Sequence, residues 1–296
     1  MGKIAENIAA VRSRIAASEE RAGRSAGSVQ LMLAAKYQPL DNLLQALAAG
    51  ERFFGHNIIQ QLKTAEEGLH AVQLAAFGST SATHLASAPA SAPDSTRGFS
   101  DRATSDSTLS DRTLSDLDAL DLDLPALDFS HTTTVIGHVQ SNKLSAAMHY
   151  AQRIDTVDSF TTAEQIERRQ KARIAAGGVE DCAYPILLQV NSSGAPTQFG
   201  CEPGGLIDMA ERICELPHVR IDGLMTIGAN TPDNTNEVIR SFELTRELGA
   251  QLQEIPGLEK ATTLSMGMSH DLELAIEHGS TEIRIGTAIF GARTQK

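Results

Sequence analysis

A lysine that closes an apolar strand is the first residue in this chain that invites chemistry. The run 29–35 is apolar enough to read as a strand, and it leads into Lys36 and Tyr37. A charge at the end of a buried strand must be desolvated or carried to the surface. Desolvation lowers an ammonium pKa, and the neutral amine attacks an aldehyde to form a Schiff base. Strand alternation places Met32, Ala34 and Lys36 on one face and Tyr37 on the other. Taken alone, Lys36 reads more simply as a side chain that snorkels to solvent.

The run 282–285 shifts that balance. Arg284 lies two residues before Gly286 and Thr287, where the strand gives way to a short helical turn. A Gly-Thr pair in that position offers backbone N–H groups and a hydroxyl to a phosphate, while Arg284 can point inward at a ligand ring. A second loop of small and hydroxyl residues, Ser265-Met266-Gly267-Met268-Ser269, follows the run 262–265. Each loop is common by itself. Together with the lysine they suit an aldehyde that carries a phosphate.

The elements around residues 36 and 287 must position them. Eight short apolar runs (29–35, 52–54, 134–137, 154–157, 184–190, 221–226, 262–265 and 282–285) alternate with segments of helical period. In the first helical segment Ile4, Ile8, Val11 and Ile15 recur at spacings of three and four. Further helical stretches fall at 41–49, 58–74, 143–151, 162–176, 205–215, 236–252 and 271–278. Such alternation indicates a parallel sheet with crossover helices, and eight units close into a (β/α)₈ TIM-type barrel. Periodicity alone leaves an open doubly wound sheet as the alternative. In a barrel the strand C-termini converge on one mouth, where function collects.

The reading is a single barrel over 1–296, with a low-complexity acidic insertion at 78–131. Within it Asp101, Asp106, Asp111, Asp116 and Asp121 are spaced by five, a period of neither helix nor strand. Residues 94–128 hold nine Asp and three Arg, so they carry half of the chain's net charge of −12. The stretch 114–127 alternates Leu and Asp and could pair along an edge or groove; a solvated spacer is the simpler reading. The acidic balance excludes a nucleic-acid partner. No apolar run reaches the roughly 18 residues of a membrane span, and the N-terminal residues form an amphipathic pattern, not a signal peptide. Cys182, Cys201 and Cys214 form no CxxC pair, so reduced and mostly buried thiols are expected, in the cytoplasm.

The run Leu264-Ser265-Met266-Gly267-Met268-Ser269-His270-Asp271, then Gly279-Ser280-Thr281 and Arg284 through Arg293, resembles the pyridoxal phosphate homeostasis protein family. Ala34-Ala35-Lys36, Phe54-Gly55-His56-Asn57, the run 136–143, Val157-Asp158-Ser159, Val190-Asn191 and Gly223-Leu224-Met225 match as well, so the resemblance spans nearly all the chain outside the insertion. That family looks like the N-terminal barrel of alanine racemase standing alone, the type III fold of pyridoxal phosphate (PLP) proteins. The resemblance implies PLP held as a Schiff base on Lys36, with Ser265, Gly286 and Thr287 on the phosphate and Arg284 facing the pyridine nitrogen. It places Asn57, and with less support Met225, along the ring. A fixed cation there disfavours protonation of the ring nitrogen and weakens the ring as an electron sink. The chain departs from the family pattern at His56, where Glu is usual, and at Thr133-Thr134, where Trp-His is usual; His131 lies out of register with that pair.

Alanine racemases bring a tyrosine from a further β-domain as the second acid/base. Here Tyr37, Tyr150 and Tyr184 are the tyrosines, and none is expected opposite Lys36. His138, after the third strand, could substitute, although a loop histidine without a catalytic role is the simpler reading. The expectation is therefore a PLP carrier or regulator in intracellular PLP homeostasis, a monomer or weak dimer with PLP-dependent apo-enzymes as recipients. An amino-acid racemase is the alternative, and a barrel aldolase is weaker because it needs a general acid beside Lys36.

Overall fold

Apolar alternation along each strand is realised as a sheet rolled on itself. The computed structural model describes residues 2–77, 120, 122–229 and 234–291. The strands are β1 (Gln30–Ala34), β2 (Phe53–His56), β3 (Thr132–Val135), β4 (Arg153–Val157), β5 (Tyr184–Gln189), β6 (Val219–Met225), β7 (Thr263–Ser265) and β8 (Glu282–Ile285). They pair in chain order, all parallel, as a closed barrel. Closure comes from β1 lying along β8, from Gln30 opposite Glu282 to Leu33 opposite Ile285, which removes the open sheet as an alternative.

The helices are α1 (Lys3–Arg21), α2 (Leu40–Ala48), α3 (Ile59–Phe77), α4 (Leu144–Tyr150), α5 (Phe160–Ala175), α6 (Leu206–Cys214), α7 (Thr235–Gln253), α8 (Leu272–Glu277) and α9 (Thr287–Phe290). The apolar core lies between sheet and helices. One buried cluster joins β3 to β7 with the helices outside them; the other joins β1, β2 and β8 with α1, α2 and α3. Helix α1 buries Ile4, Ile8, Val11 and Ile15, as its spacing requires. Strand β3 begins at Thr132, two residues before the apolar run predicts, because Thr133 and Thr134 are fully buried and hydrogen-bonded.

The lumen is polar near its floor. Arg153 on β4 reaches Glu282 on β8 at 2.8 Å and Asp155 at 2.6 Å. Strands β4 and β8 are not neighbours, so the first contact crosses the barrel interior. Thr134 donates to Asp155 at 2.7 Å and completes its shell. Burial pushes the Glu282 carboxyl above its usual range, although Arg153 opposes this. Burial lowers the Arg153 pKa, but Asp155 and Glu282 outweigh it and hold the guanidinium charged.

The five-residue Asp repeat lies outside the described residues. The described end of the 78–131 segment packs on the barrel: Leu120, Leu122, Leu124 and Leu127 lie against the second cluster, and Phe129 is buried within it. His131 then clasps α3. Its Nδ1 meets the Phe129 carbonyl at 2.7 Å and its Nε2 meets Glu66 at 3.0 Å. Both partners are acceptors, so both ring nitrogens carry protons. Burial lowers the His131 pKa, but the Glu66 carboxylate and the carbonyl outweigh it and raise it overall. The expectation of mostly buried thiols is corrected: Cys182 and Cys214 are exposed and Cys201 is half-buried, since the first lies in a loop and the second on an outer helix face.

Candidate functional site

At the C-terminal mouth a cavity of about 350 Å³ is lined by residues from both ends of the barrel seam. Lys36 and Ala34 come from β1, Asn57 follows β2, and Arg284, Gly286 and Thr287 come from β8 and the start of α9. Five of the seven residues singled out in the sequence therefore share one hollow. Lys36 enters it because Met32 and Ala34 precede it on the inward face, while Ala35 is buried in the outer cluster. Its amine also lies 5.8 Å from the centre of the Tyr37 ring. Tyr37 itself is exposed and adopts a left-handed backbone, with φ 58°.

The other two lie beneath the cavity and do not line it. Ser265 is fully buried, and its hydroxyl accepts from Arg284 Nη1 at 2.9 Å. It supports the arginine, and its place at the end of a three-residue strand leaves it outside the cavity lining. Met225 is fully buried beside it, in register with Ser265 across β6 and β7.

Arg284 Nη2 donates to the Thr226 carbonyl at 2.7 Å. The hydrogen-bond partners of this buried guanidinium are thus a hydroxyl and a carbonyl, both neutral. Burial lowers its pKa, against the fields of Glu282, Asp155 and Asp271. A guanidinium so placed, with donors to spare at a cavity wall, suits an acceptor atom on a ligand.

Met268 and Ser269 of the second hydroxyl loop join the lining, and Gln38, Ile136, Ile227, His270 and Gly291, to which sequence reasoning gave no role, complete it with Ala34. Ser269 Oγ accepts from the Ala288 N–H at 3.2 Å and so ties the β7 loop to α9. The signal for this loop was Gly267, whose φ of 97° reverses the chain and where an added Cβ would lie 2.5 Å from Ala275 Cβ. Strand alternation cannot anticipate that reversal. His138 is elsewhere: it stacks on Phe199 with centroids 4.3 Å apart, outside the cavity lining.

A wider hollow of about 690 Å³ opens at the opposite end, around Gln30, Phe53, Thr132, Thr263 and Glu282. It holds no lysine, and the charges of Arg12 and Glu51 on its wall satisfy one another at 2.6 Å. The smaller cavity is where the reactive groups converge.

These features define a class: an eight-stranded parallel barrel with a lysine at the mouth of its first strand. The family model described as the alanine racemase N-terminal domain matches residues 2–294. The pyridoxal phosphate homeostasis protein of Vibrio cholerae serotype O1 is 31% identical over 99% of this chain and 98% of its own length, and the chain belongs to that family. The protein of the same name from Escherichia coli K12 is 29% identical over 99% of this chain and 98% of its own. Among solved structures, PipY of Synechococcus elongatus PCC7942 with PLP bound is 27% identical with a TM-score of 0.66, covering 97% of this chain and 100% of that one. Alanine racemase from Corynebacterium glutamicum, 13% identical with a TM-score of 0.56, covers 99% of this chain and 62% of its own and shares the fold. Among the described residues, no helix is long and apolar enough to cross a membrane.

Proposed function

We propose that this chain binds pyridoxal 5'-phosphate in the C-terminal cavity, with Lys36 as the amine that carries its aldehyde, and serves intracellular PLP homeostasis as a carrier or regulator. The observation that carries the reading is the convergence of Lys36, Asn57, Arg284, Gly286 and Thr287 on one hollow. The donor set fits the group: a primary amine, a guanidinium with neutral partners, and a glycine turn with a hydroxyl. When bound, the cofactor supplies an electrophilic aldehyde and an electron-withdrawing ring. Arg284, held by Ser265 and Thr226, would face the pyridine nitrogen and disfavour its protonation. Gly286, Thr287 and Ser269 would hold the phosphate end, and Asn57 would line the ring.

The name of the relatives favours a carrier, and so do the tyrosines. Tyr37 is exposed, Tyr150 donates to Glu67 at 2.8 Å, and Tyr184 is buried on the Ala151 carbonyl at 2.8 Å. None lines the cavity. Recipient apo-enzymes, a cytoplasmic setting and a monomer or weak dimer belong to the same reading.

Borohydride reduction of the PLP-loaded protein, followed by peptide mapping, tests the anchor. Modification at Lys36, and loss of the visible band in Lys36→Ala, are expected. A label on another lysine, or an unchanged band in Lys36→Ala, overturns the assignment. Sustained interconversion of a single-enantiomer amino acid, well above the rate with free cofactor, replaces the carrier with a racemase.

A further inference from the structure

The turn that carries Lys36 into the cavity is strained, and side chains from two helices hold it. Among the described residues, Tyr37 is the one non-glycine residue with a positive φ, at 58°. That region crowds a Cβ against its own backbone, and an aromatic side chain offers none of the local hydrogen bonds that let Asn or Asp adopt it. Packing does not offset the strain, because the Tyr37 side chain is exposed. Hydrogen bonds do. The Gln38 N–H donates to the Ala35 carbonyl at 3.2 Å and closes a turn with Lys36 and Tyr37 at its corners. The Tyr37 N–H donates to Oε1 of Gln61, in the first turn of α3, at 3.1 Å. Gln38 Nε2 donates to the Lys36 carbonyl at 3.2 Å, and Asn42 of α2 donates to Gln38 Oε1 at 2.8 Å. A glycine would take this corner freely; a tyrosine held there beside Lys36 marks a conformation kept for the site.

We infer that Gln61 is a positioning residue for the Lys36 amine: it holds the strained corner at Tyr37, and the corner aims Lys36 at the cavity. The inference rests on the reading of Lys36 as the amine that carries the PLP aldehyde. Strand β1 ends at Ala34, and the Ala35 N–H still donates to the Gly55 carbonyl at 2.9 Å. From Lys36 onward the bonds of the turn replace those of the sheet. Pro39 fixes the exit, with φ −68° at the start of α2. With both ends of the turn anchored, a change of φ at Tyr37 must be absorbed at Lys36, which re-aims its side chain relative to Arg284 and the Gly286 turn. Gln61 stands outside the cavity lining and acts through the backbone of Tyr37. It lies with Asn57 on the stretch after β2, so that stretch both lines the cavity and directs its amine.

Gln61→Met keeps the length and helical preference of the side chain and removes the acceptor. Two ligands separate the aim of the amine from the integrity of the cavity: PLP, whose aldehyde reacts with Lys36, and pyridoxine 5'-phosphate, whose alcohol cannot. In the full chain, Gln61→Met is expected to weaken PLP retention about 10-fold and to leave pyridoxine 5'-phosphate affinity within about two-fold, both by equilibrium dialysis. Adding Tyr37→Gly to that variant is expected to restore most of the PLP affinity, since glycine takes this φ freely. Tyr37→Val, at an exposed position, is expected to behave like Gln61→Met, because a β-branched residue is a poor occupant of the left-handed region. Both Tyr37 variants lose the ring beside Lys36, so their difference reports the backbone alone. Wild-type PLP retention in Gln61→Met overturns the inference, as does an equal loss of both ligands or a Tyr37→Gly that restores nothing. An independent readout needs no ligand. In the unloaded protein, hydrogen exchange at the Tyr37 amide, followed by NMR, is expected to speed up about 10-fold in Gln61→Met; an unchanged rate also overturns it. Failure of the wild-type chain to retain PLP defeats the cofactor reading and this inference with it. An indifferent Gln61→Met in a chain that retains PLP defeats the inference alone.

Discussion

Exchanging His56 for Gln should change how the barrel responds to acid. His56 lies on β2 next to Asn57, 2% exposed, and its Nδ1 has no hydrogen-bond partner. Burial is the main reason its pKa falls from 6.5 to about 4; nearby Glu66 opposes the shift and His131 adds to it. Between those values the unfolded chain binds a proton at this ring that the folded chain refuses. Stability therefore drops as the pH falls through that window, and the loss is complete below the folded value. At about 1.4 kcal/mol for each pKa unit, the gap is worth about 3 kcal/mol. Gln has no proton to gain, so His56→Gln should lack this component whatever its offset in absolute stability. Urea unfolding of both proteins, followed by circular dichroism at steps from 6.5 down to about 4, measures the difference. Parallel stability curves would refute the reasoning, as would a His56 NMR resonance that titrates at the ordinary imidazole value.

Three further outcomes are expected. Thr287→Val should weaken PLP retention by removing a hydroxyl at the phosphate end, at a cost of about 1 kcal/mol read from equilibrium dialysis. Arg153→Met should destabilise the fold by about 3–5 kcal/mol, since Asp155 and Glu282 would lose their shared cation, and mild acid should restore part of the loss by protonating them; chemical denaturation at two pH values checks both statements. Gly137→Ala should disturb the site from outside it, because a Cβ there would lie 2.3 Å from the Asn57 carbonyl oxygen. The variant should fold with reduced PLP affinity or lose thermal stability, and scanning calorimetry with and without PLP separates the two.

The barrel was legible because strand and helix periods alternate and each strand is apolar on its outer face. Lys36 was legible at the cavity because a two-residue period carries inward positions straight to the mouth, and Gly286 and Thr287 because a Gly-Thr pair opens the turn after the last strand. Ser265 was not, since the period gives a face but not a depth, and β7 ends with that hydroxyl below the cavity floor. Ser269 was legible as part of a hydroxyl loop after β7, but the place of Ser269 and His270 at the cavity rim was hidden by the reversal at Gly267, which depends on backbone freedom and not on pattern. The leucines at 120–127 were hard to place because alternation with Asp suits a solvated segment as well as one lying against α3. The His131–Glu66 clasp joins residues 65 apart in sequence and had no local signature.

The seam between β1 and β8 gives the site a property that no residue in it has alone. Lys36 arrives with the first strand of the barrel and Arg284 with the last, and until those strands lie side by side the two groups have no fixed separation. A partly assembled chain can hold the cluster that joins β3 to β7 and still offer no binding hollow. Retention of the ligand would therefore report that the ring of strands has shut, and ligand present during refolding should favour the last step of assembly over every earlier one.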